Sequence, residues 1–289
     1  MAPSYDPELN LIYIGTSVTS PVPKFMVGGA ENTHLYHNST LALDADTGEI
    51  VWYYQNLNDH WDLDHPFERL LVDTAVTPDA SVVRWINPRL QPGEVRKVVT
   101  GSPGKTGVVY TLDRETREFL WATPTIAQNV ISDIDGATGV VTENAEVVFR
   151  AEGQQVLVCP DMHGGKDWEA GAYSPLTNAY YVPAWNGRCT VMRVTSLTPT
   201  LEQGYNTSNV RTVPSPTANF GQPEAIDVAT GETLWRLELE APLYGMLTTG
   251  GGLLFAADTY RRFYALDQWT GEILWQTVLS GVSDMAPIS

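Results

Sequence analysis

The chain has 289 residues, 43% of them hydrophobic and only 18% charged, with a net charge of −17. That much apolar material supplies a packed core and excludes a disordered chain, and the size allows one large β domain or two ordinary ones. The negative charge disfavours nucleic acid or an anionic membrane as a partner, because phosphate repels it, and no apolar run reaches the roughly 18 residues that span a bilayer.

The 24 Gly, 19 Pro, 13 Tyr and 9 Trp favour turn-rich β structure, since Gly and Pro punctuate strands and aromatics suit a pleated face. Met1-Ala2-Pro3-Ser4 lacks the basic and apolar regions of a signal peptide. A turn, Tyr5–Asn10, leads straight into a strand at Leu11–Ile14. Next comes Ala42-Leu43-Asp44…Thr47-Gly48…Trp52, an apolar strand, an Asp-x-x-Thr-Gly turn and a second strand ending in Trp. This is a β-hairpin pattern: Asp bonds the turn amides and Gly supplies the positive φ.

The cluster Asn58-Asp59-His60-Trp61-Asp62-Leu63-Asp64-His65 follows. On an extended backbone Asp62 and Asp64 point the same way, and two carboxylates on one side repel or invite a cation. A solvated loop with turn-forming Asp residues is the alternative. Further on, Gly101-Ser102-Pro103-Gly104-Lys105-Thr106-Gly107 resembles a phosphate-binding loop only superficially. That loop needs a Gly where Val99 stands and a helix where a β-branched run, Val108–Asp113, begins.

The hairpin pattern returns at Thr111-Leu112-Asp113…Thr116…Trp121, with Arg117 in the Gly position. Arg117 either adopts the positive φ at a cost or marks a changed turn. The two cysteines, Cys159 and Cys189, allow one disulfide, and spacing alone does not decide whether it forms. A Gly-rich loop, Gly164-Gly165-Lys166-Asp167-Trp168, lets backbone approach a ligand closely. Two further copies of the pattern stand at Ala225-Ile226-Asp227…Trp235 and Ala265-Leu266-Asp267…Trp275, flanking Leu243-Tyr244-Gly245.

The step from Trp235 to Trp275 is that of one four-stranded propeller blade, about 40 residues. The wider gap between the second and third copies leaves room for insertions or a degenerate blade. A lone blade cannot bury both faces, so such units stack radially. Four unrelated hairpins in a sandwich is the competing arrangement.

The repeat resembles the tryptophan-docking motif of the pyrroloquinoline quinone (PQQ) dependent alcohol and methanol dehydrogenases. The resemblance implies an all-β fold, a partial β-propeller of about half an eight-bladed ring, over residues 1–289 as a single domain. It also implies that the blades preceding residue 1 and a final strand are absent. In that family Trp52, Trp121, Trp235 and Trp275 would be structural. Trp52-Tyr53-Tyr54-Gln55 followed by Trp61-Asp62 matches the family's order. The resemblance makes Asp62 the base that takes the alcohol proton and, with Asp64, a ligand of Ca²⁺ or a lanthanide, the extra Asp64 carboxylate resembling lanthanide-type members. Lys105 would polarise the quinone carbonyl.

Asp167 and Trp168 would line the PQQ pocket, Asp167 replacing an amide and so losing a donor. Trp168 is also readable as ordinary core. Tyr244 would be the aromatic floor. The family's metal-ligating Asn falls at Val18 of Gly15-Thr16-Ser17-Val18, leaving Ser17, Thr19 or Asn32 as substitutes only after rearrangement. The resemblance implies a small, primary alcohol substrate, a cytochrome c electron acceptor and a periplasmic location. A non-catalytic PQQ-like scaffold, as in outer-membrane assembly lipoproteins, is the rival. Such scaffolds lack the Trp-Asp-x-Asp, the turn Lys and the Gly-Gly loop.

Overall fold

A computed structural model of the chain describes residues 3–18, 23–58, 61–198, 206–214, 219–283 and 286–287. Thr19, Asp59 and His60 lie outside these residues. Apart from one short 3-10 helix, Lys24–Met26, the regular structure among the described residues is entirely strand.

The first sheet is β1 (Ser4–Asp6), β2 (Leu11–Gly15), β3 (Ser39–Asp44) and β4 (Ile50–Gln55), paired in that order. The second contains β5 (Leu70–Val76), β6 (Trp85–Ile86), β7 (Glu94–Gly101), β8 (Val108–Asp113) and β9 (Phe119–Pro124), ordered β5-β7-β8-β9-β6. Then come a hairpin, β10 (Ile131–Ile134) with β11 (Val141–Glu143), and β12 (Gln155–Val158). The third blade interleaves with the excursion: β13 (Ala172–Ser174) and β14 (Ala179–Val182) precede β15 (Cys189–Val194) and β16 (Thr207–Val213). It closes with β17 (Glu224–Asp227) and β18 (Thr233–Arg236), in the order β13-β14-β17-β18, while β12-β15-β16 form a separate sheet. The fourth blade is β19 (Leu243–Thr248), β20 (Leu253–Asp258), β21 (Arg262–Asp267) and β22 (Ile273–Val278).

The four repeats are the third-to-fourth strand hairpins of these four blades. In each, the register shifts just before the turn, at Ala42/Leu43, Thr111/Leu112, Ala225/Ile226 and Ala265/Leu266. The carboxylates of Asp44, Asp113, Asp227 and Asp267 accept the amide of the Thr three residues on, at 2.8–2.9 Å. Arg117 takes the left-handed conformation itself, φ 69° against 72–75° for the glycines of the other three turns. The turn is therefore unchanged, at a cost of about 1–2 kcal/mol for a side chain in that region.

Each buried Trp reaches the docking turn of the following blade. Trp52 donates to the Arg114 carbonyl at 3.2 Å and Trp235 to the Gln268 carbonyl at 2.9 Å. Tyr13 and Tyr181 bond the same two carbonyls and lean on the same tryptophans. Trp121 packs on Gly231. Three apolar clusters fill the spaces between successive blades, built around Tyr13 and Trp52, then Trp121 and Tyr180, then Tyr181 and Trp235. Trp275 departs from the expectation: it is 54% exposed on the last sheet, and at the other end no atom lies within 4 Å of where a Cβ on Gly48 would stand.

The interval between the second and third repeats is not a four-stranded blade but the β10–β11 hairpin and the β12-β15-β16 sheet. That hairpin carries a fifth Asp-x-x-Thr-Gly turn, Asp135–Gly139, with Thr138 donating to Asp135. Tyr54 from the first blade docks on it, its hydroxyl 2.8 Å from the Gly139 carbonyl. Cys159 and Cys189 form a disulfide beside the β12–β15 pairing.

Candidate active site

In an antiparallel blade the second-to-third turn and the exit from the fourth strand lie at one end, opposite the docking turns. Residues 16–18, 23–38, 56–58 and 61–69 of the first blade, 102–107 and 125–171 of the second, and the start of β19 therefore share an end. Ser17, Asp62, Asp64, Lys105, Asp167, Trp168 and Tyr244 all belong to these segments.

The loop after β4 is anchored by its apolar residues. Trp61 and Leu63 are fully buried, and the Trp61 indole donates to the Val147 carbonyl at 2.9 Å. Asp62 is not extended; it takes a left-handed φ of 66°. Asp62 and Asp64 nevertheless turn toward the same group. The Lys105 ammonium lies 2.9 Å from Asp64 Oδ2 and 3.6 Å from Asp62 Oδ2, and it donates to the Asp62 carbonyl at 3.1 Å. The Lys105 amide also donates to the Asp64 carbonyl at 2.9 Å, joining the two loops.

Around this trio the supports are buried. His65 sits between the Leu63 carbonyl and Thr106 Oγ1, and burial pushes its pKa down to about 3, so it is neutral. Gly104 is required here, since a Cβ would come within 2.3 Å of the His65 ring. Arg69, also buried, donates to the Phe67 and His65 carbonyls and to Thr40 Oγ1. Burial pushes Asp62 up to about 6, and the Asp64 charge adds to that while Lys105 opposes it. Burial would raise Asp64 too, but Lys105 and the Ser17 hydroxyl bonded to it bring its pKa below the ordinary value. Lys105 loses hydration to burial, yet Asp64 and Asp62 hold its pKa above the usual lysine value.

The Gly-Gly loop approaches from the other side. Gly165 donates its amide to the Lys105 carbonyl at 2.8 Å, and a Cβ on Gly164 would stand 2.6 Å from Lys105 Cβ. Asp167 is raised by burial, with Lys105 acting against that rise. Trp168 is not core: it is 48% exposed and stacks on Tyr244, centroids 5.3 Å apart at 23°. The loop is fixed by a pairing that no local pattern signals. Lys166, fully buried, meets Glu68 at 2.8 Å across 98 residues of sequence, and Glu68 also accepts the Gly171 amide and the Tyr180 hydroxyl.

Among the described residues no group of three or more His, Cys, Asp or Glu side chains is gathered to hold a metal. The two carboxylates expected at a metal are paired here with an ammonium, Ser17 is bonded to Asp64, and Asn32 belongs to the separate Gly28–Asn58 contacts. Two carboxylates alone do not complete a Ca²⁺ or lanthanide cage of six or more oxygens, though they are the ligand type such a cage uses. Lys105, as a charged donor, and the exposed Trp168–Tyr244 pair do fit a flat molecule carrying carbonyl oxygens.

The family described as glucose/ethanol/alcohol dehydrogenase, beta-propeller domain, matches residues 2–134, and that of outer membrane protein assembly factor BamB matches residues 221–288. The dehydrogenase XoxF of Paracoccus denitrificans is 30% identical over 94% of this chain and 44% of its own length. The lanthanide-dependent methanol dehydrogenase of Methylacidiphilum fumariolicum is 30% identical over 96% of this chain and 44% of its own. In three dimensions the chain is similar to a europium-containing methanol dehydrogenase, with a TM-score of 0.83, 28% identity and coverage of 99% of this chain and 47% of the other. It is likewise similar to the quinohemoprotein alcohol dehydrogenase of Comamonas testosteroni, TM-score 0.82 at 25% identity, covering 42% of that chain. The chain thus spans less than half the length of the relatives it matches. The shared blades and docking turns place it in the family of PQQ-dependent alcohol and methanol dehydrogenases, as the carboxy-terminal half of their propeller.

Proposed function

We propose that this chain supplies one half of the active site of a PQQ-dependent dehydrogenase that oxidises a small, primary alcohol. The observation that carries this is the Asp62–Lys105–Asp64 cluster at the loop end of the blades, where Asp62 has a pKa raised to about 6. A carboxylate poised there is matched to taking a hydroxyl proton near neutral pH. PQQ, when bound, supplies the acceptor for the alcohol's hydride. Lys105, Asp167, Trp168 and Tyr244 are the residues that would hold it.

Lys105 keeps its proton across the working range, so it presents a fixed positive charge to a carbonyl oxygen. The Glu68–Lys166 pair keeps the Gly-Gly loop against Lys105. Asp62 and Asp64 are the carboxylates this chain offers to Ca²⁺ or a lanthanide, the remaining oxygens coming from elsewhere in the assembled propeller. A cytochrome c acceptor and a periplasmic location accord with the family, and the disulfide suits an oxidising compartment.

The BamB-type match over residues 221–288 favours a second reading, a non-catalytic scaffold. One experiment separates them: dye-linked alcohol oxidation by the chain joined to an amino-terminal half-propeller of a quinoprotein dehydrogenase, with PQQ and either Ca²⁺ or a lanthanide. Turnover with the lanthanide favoured is the expected result. Absence of turnover with both metals in a folded, PQQ-loaded assembly would remove the enzyme reading.

A further inference from the structure

A cavity of about 400 Å³ lies between β4, the outermost strand of the first blade, and the β10–β11 hairpin. It shares no lining residue with the Asp62–Lys105–Asp64 cluster. Leu35, Tyr53 and Gln55 line one side, and Gly139, Val140 and Val141 the other. Its size falls in the range of small-molecule pockets, about 300–1,000 Å³. Its walls are tied together. Gln55 donates to the Thr33 carbonyl at 2.8 Å, Asn58 to the Asn32 carbonyl at 2.6 Å, and the Tyr54 hydroxyl to the Gly139 carbonyl at 2.8 Å.

The charged side chains at this cavity are Glu31, Glu143 and Arg117. Glu31 pairs with Arg150 and Glu143 with Lys24, so both acids are neutralised. Arg117 has no carboxylate partner among the described residues. Its guanidinium carbon stands 6.0 Å from the Tyr53 ring centroid, the outer limit of a cation–π contact, which leaves the N–H fork free.

The backbone makes the same residue conspicuous. Arg117 is exposed and takes φ 69°, where the other three docking turns have glycine. Glycine would form this turn without strain, so neither the turn nor core packing calls for the side chain. A strained position kept without a packing reason points to a ligand.

The surroundings select the class of that ligand. A free guanidinium offers parallel N–H donors that match the two oxygens of a carboxylate. Glu31 and Glu143 at the same cavity disfavour a second negative charge. The leucine, valines and tyrosine of the walls favour an apolar body over a bare ion.

We infer that this cavity binds a monocarboxylate with a flat apolar body, its carboxylate on Arg117 and its body against Tyr53, Leu35 and Val140. The inference does not depend on the dehydrogenase reading.

The probe is benzoate, titrated into the purified chain at neutral pH and followed by calorimetry and saturation-transfer NMR. Benzamide, benzamidine and phosphate are the neutral, cationic and bodiless comparators. Saturable binding of benzoate with a Kd on the order of 1 mM is expected, with each comparator at least about tenfold weaker. Arg117→Gly gives this turn the residue of the other three, so folding is not at stake, and it should weaken benzoate binding by at least about tenfold. Arg117→Lys, which keeps the charge and loses the fork, should bind benzoate with intermediate affinity. No saturable binding by the unaltered chain overturns the proposal. So does unchanged affinity in Arg117→Gly, or benzamide or phosphate binding as tightly as benzoate.

Discussion

Asp62 combines an unusual backbone with an unusual acidity, and both trace to its neighbours. Trp61 and Leu63 are driven inward, the carbonyl of Asp62 is held by Lys105, and burial together with Asp64 lifts its pKa to about 6. Acting as a base it must be ionised, so kcat/KM of the assembled enzyme should rise with pH as Asp62 loses its proton. His65 stays neutral and Lys105 stays charged through that range, so neither adds a limb. Asp62→Asn should lower kcat by on the order of 10²–10⁴ and abolish that limb, a profile that steady-state kinetics in overlapping buffers would resolve. A persisting limb in the variant would assign it to another group. Both residues of the Lys105–Asp64 contact were visible in the sequence. Their contact was not, because the turn at 102–107 and the loop at 56–69 meet only after the sheets form.

At the scale of elements, the hairpin with its Asp-x-x-Thr-Gly turn is the unit, and its tryptophan is the link to the next unit. Trp235 is buried against Gln268 and Gly271, whereas Trp275 has the same sequence context and lies exposed. Trp235→Ala should therefore cost about 3–5 kcal/mol in urea unfolding, and Trp275→Ala less than about 0.5 kcal/mol. Equal losses would mean that the last sheet is covered in solution. The four hairpins were legible because every signal they use is local: capping Asp, turn Gly, terminal Trp. The fifth turn, Asp135–Gly139, escaped notice since its strand ends without a tryptophan and the docking aromatic, Tyr54, comes from another blade. Glu68 and Lys166 escaped for a related reason: a charge pair 98 residues apart leaves no periodic trace.

Across the whole molecule, the excursion between the second and third blades is the part least supported by repeats, and the disulfide ties it down. Its bridge spans 30 residues of sequence. Closing a loop of that size stabilises by about 2–4 kcal/mol, so reduction, or Cys159→Ser with Cys189→Ser, should lower stability by that amount in denaturant titration. An unchanged midpoint would show that β12-β15-β16 holds without it. The same loss should loosen the segments around Asp161 and Arg188 first, because these residues flank the bridge.

Three tryptophan docks join four blades in a row, and the row has two bare ends, one at Trp275 and one at Gly48. A chain of neighbours linked this way melts from its ends, since an end unit loses one interface on opening and an inner unit loses two. Amide hydrogen exchange should therefore be graded along the sequence rather than uniform. Protection is expected to be slowest to yield in β7–β9 and in β14 and β17, and quickest in β1–β2 and β21–β22. Uniform protection across all four blades would reveal that something in solution covers both ends.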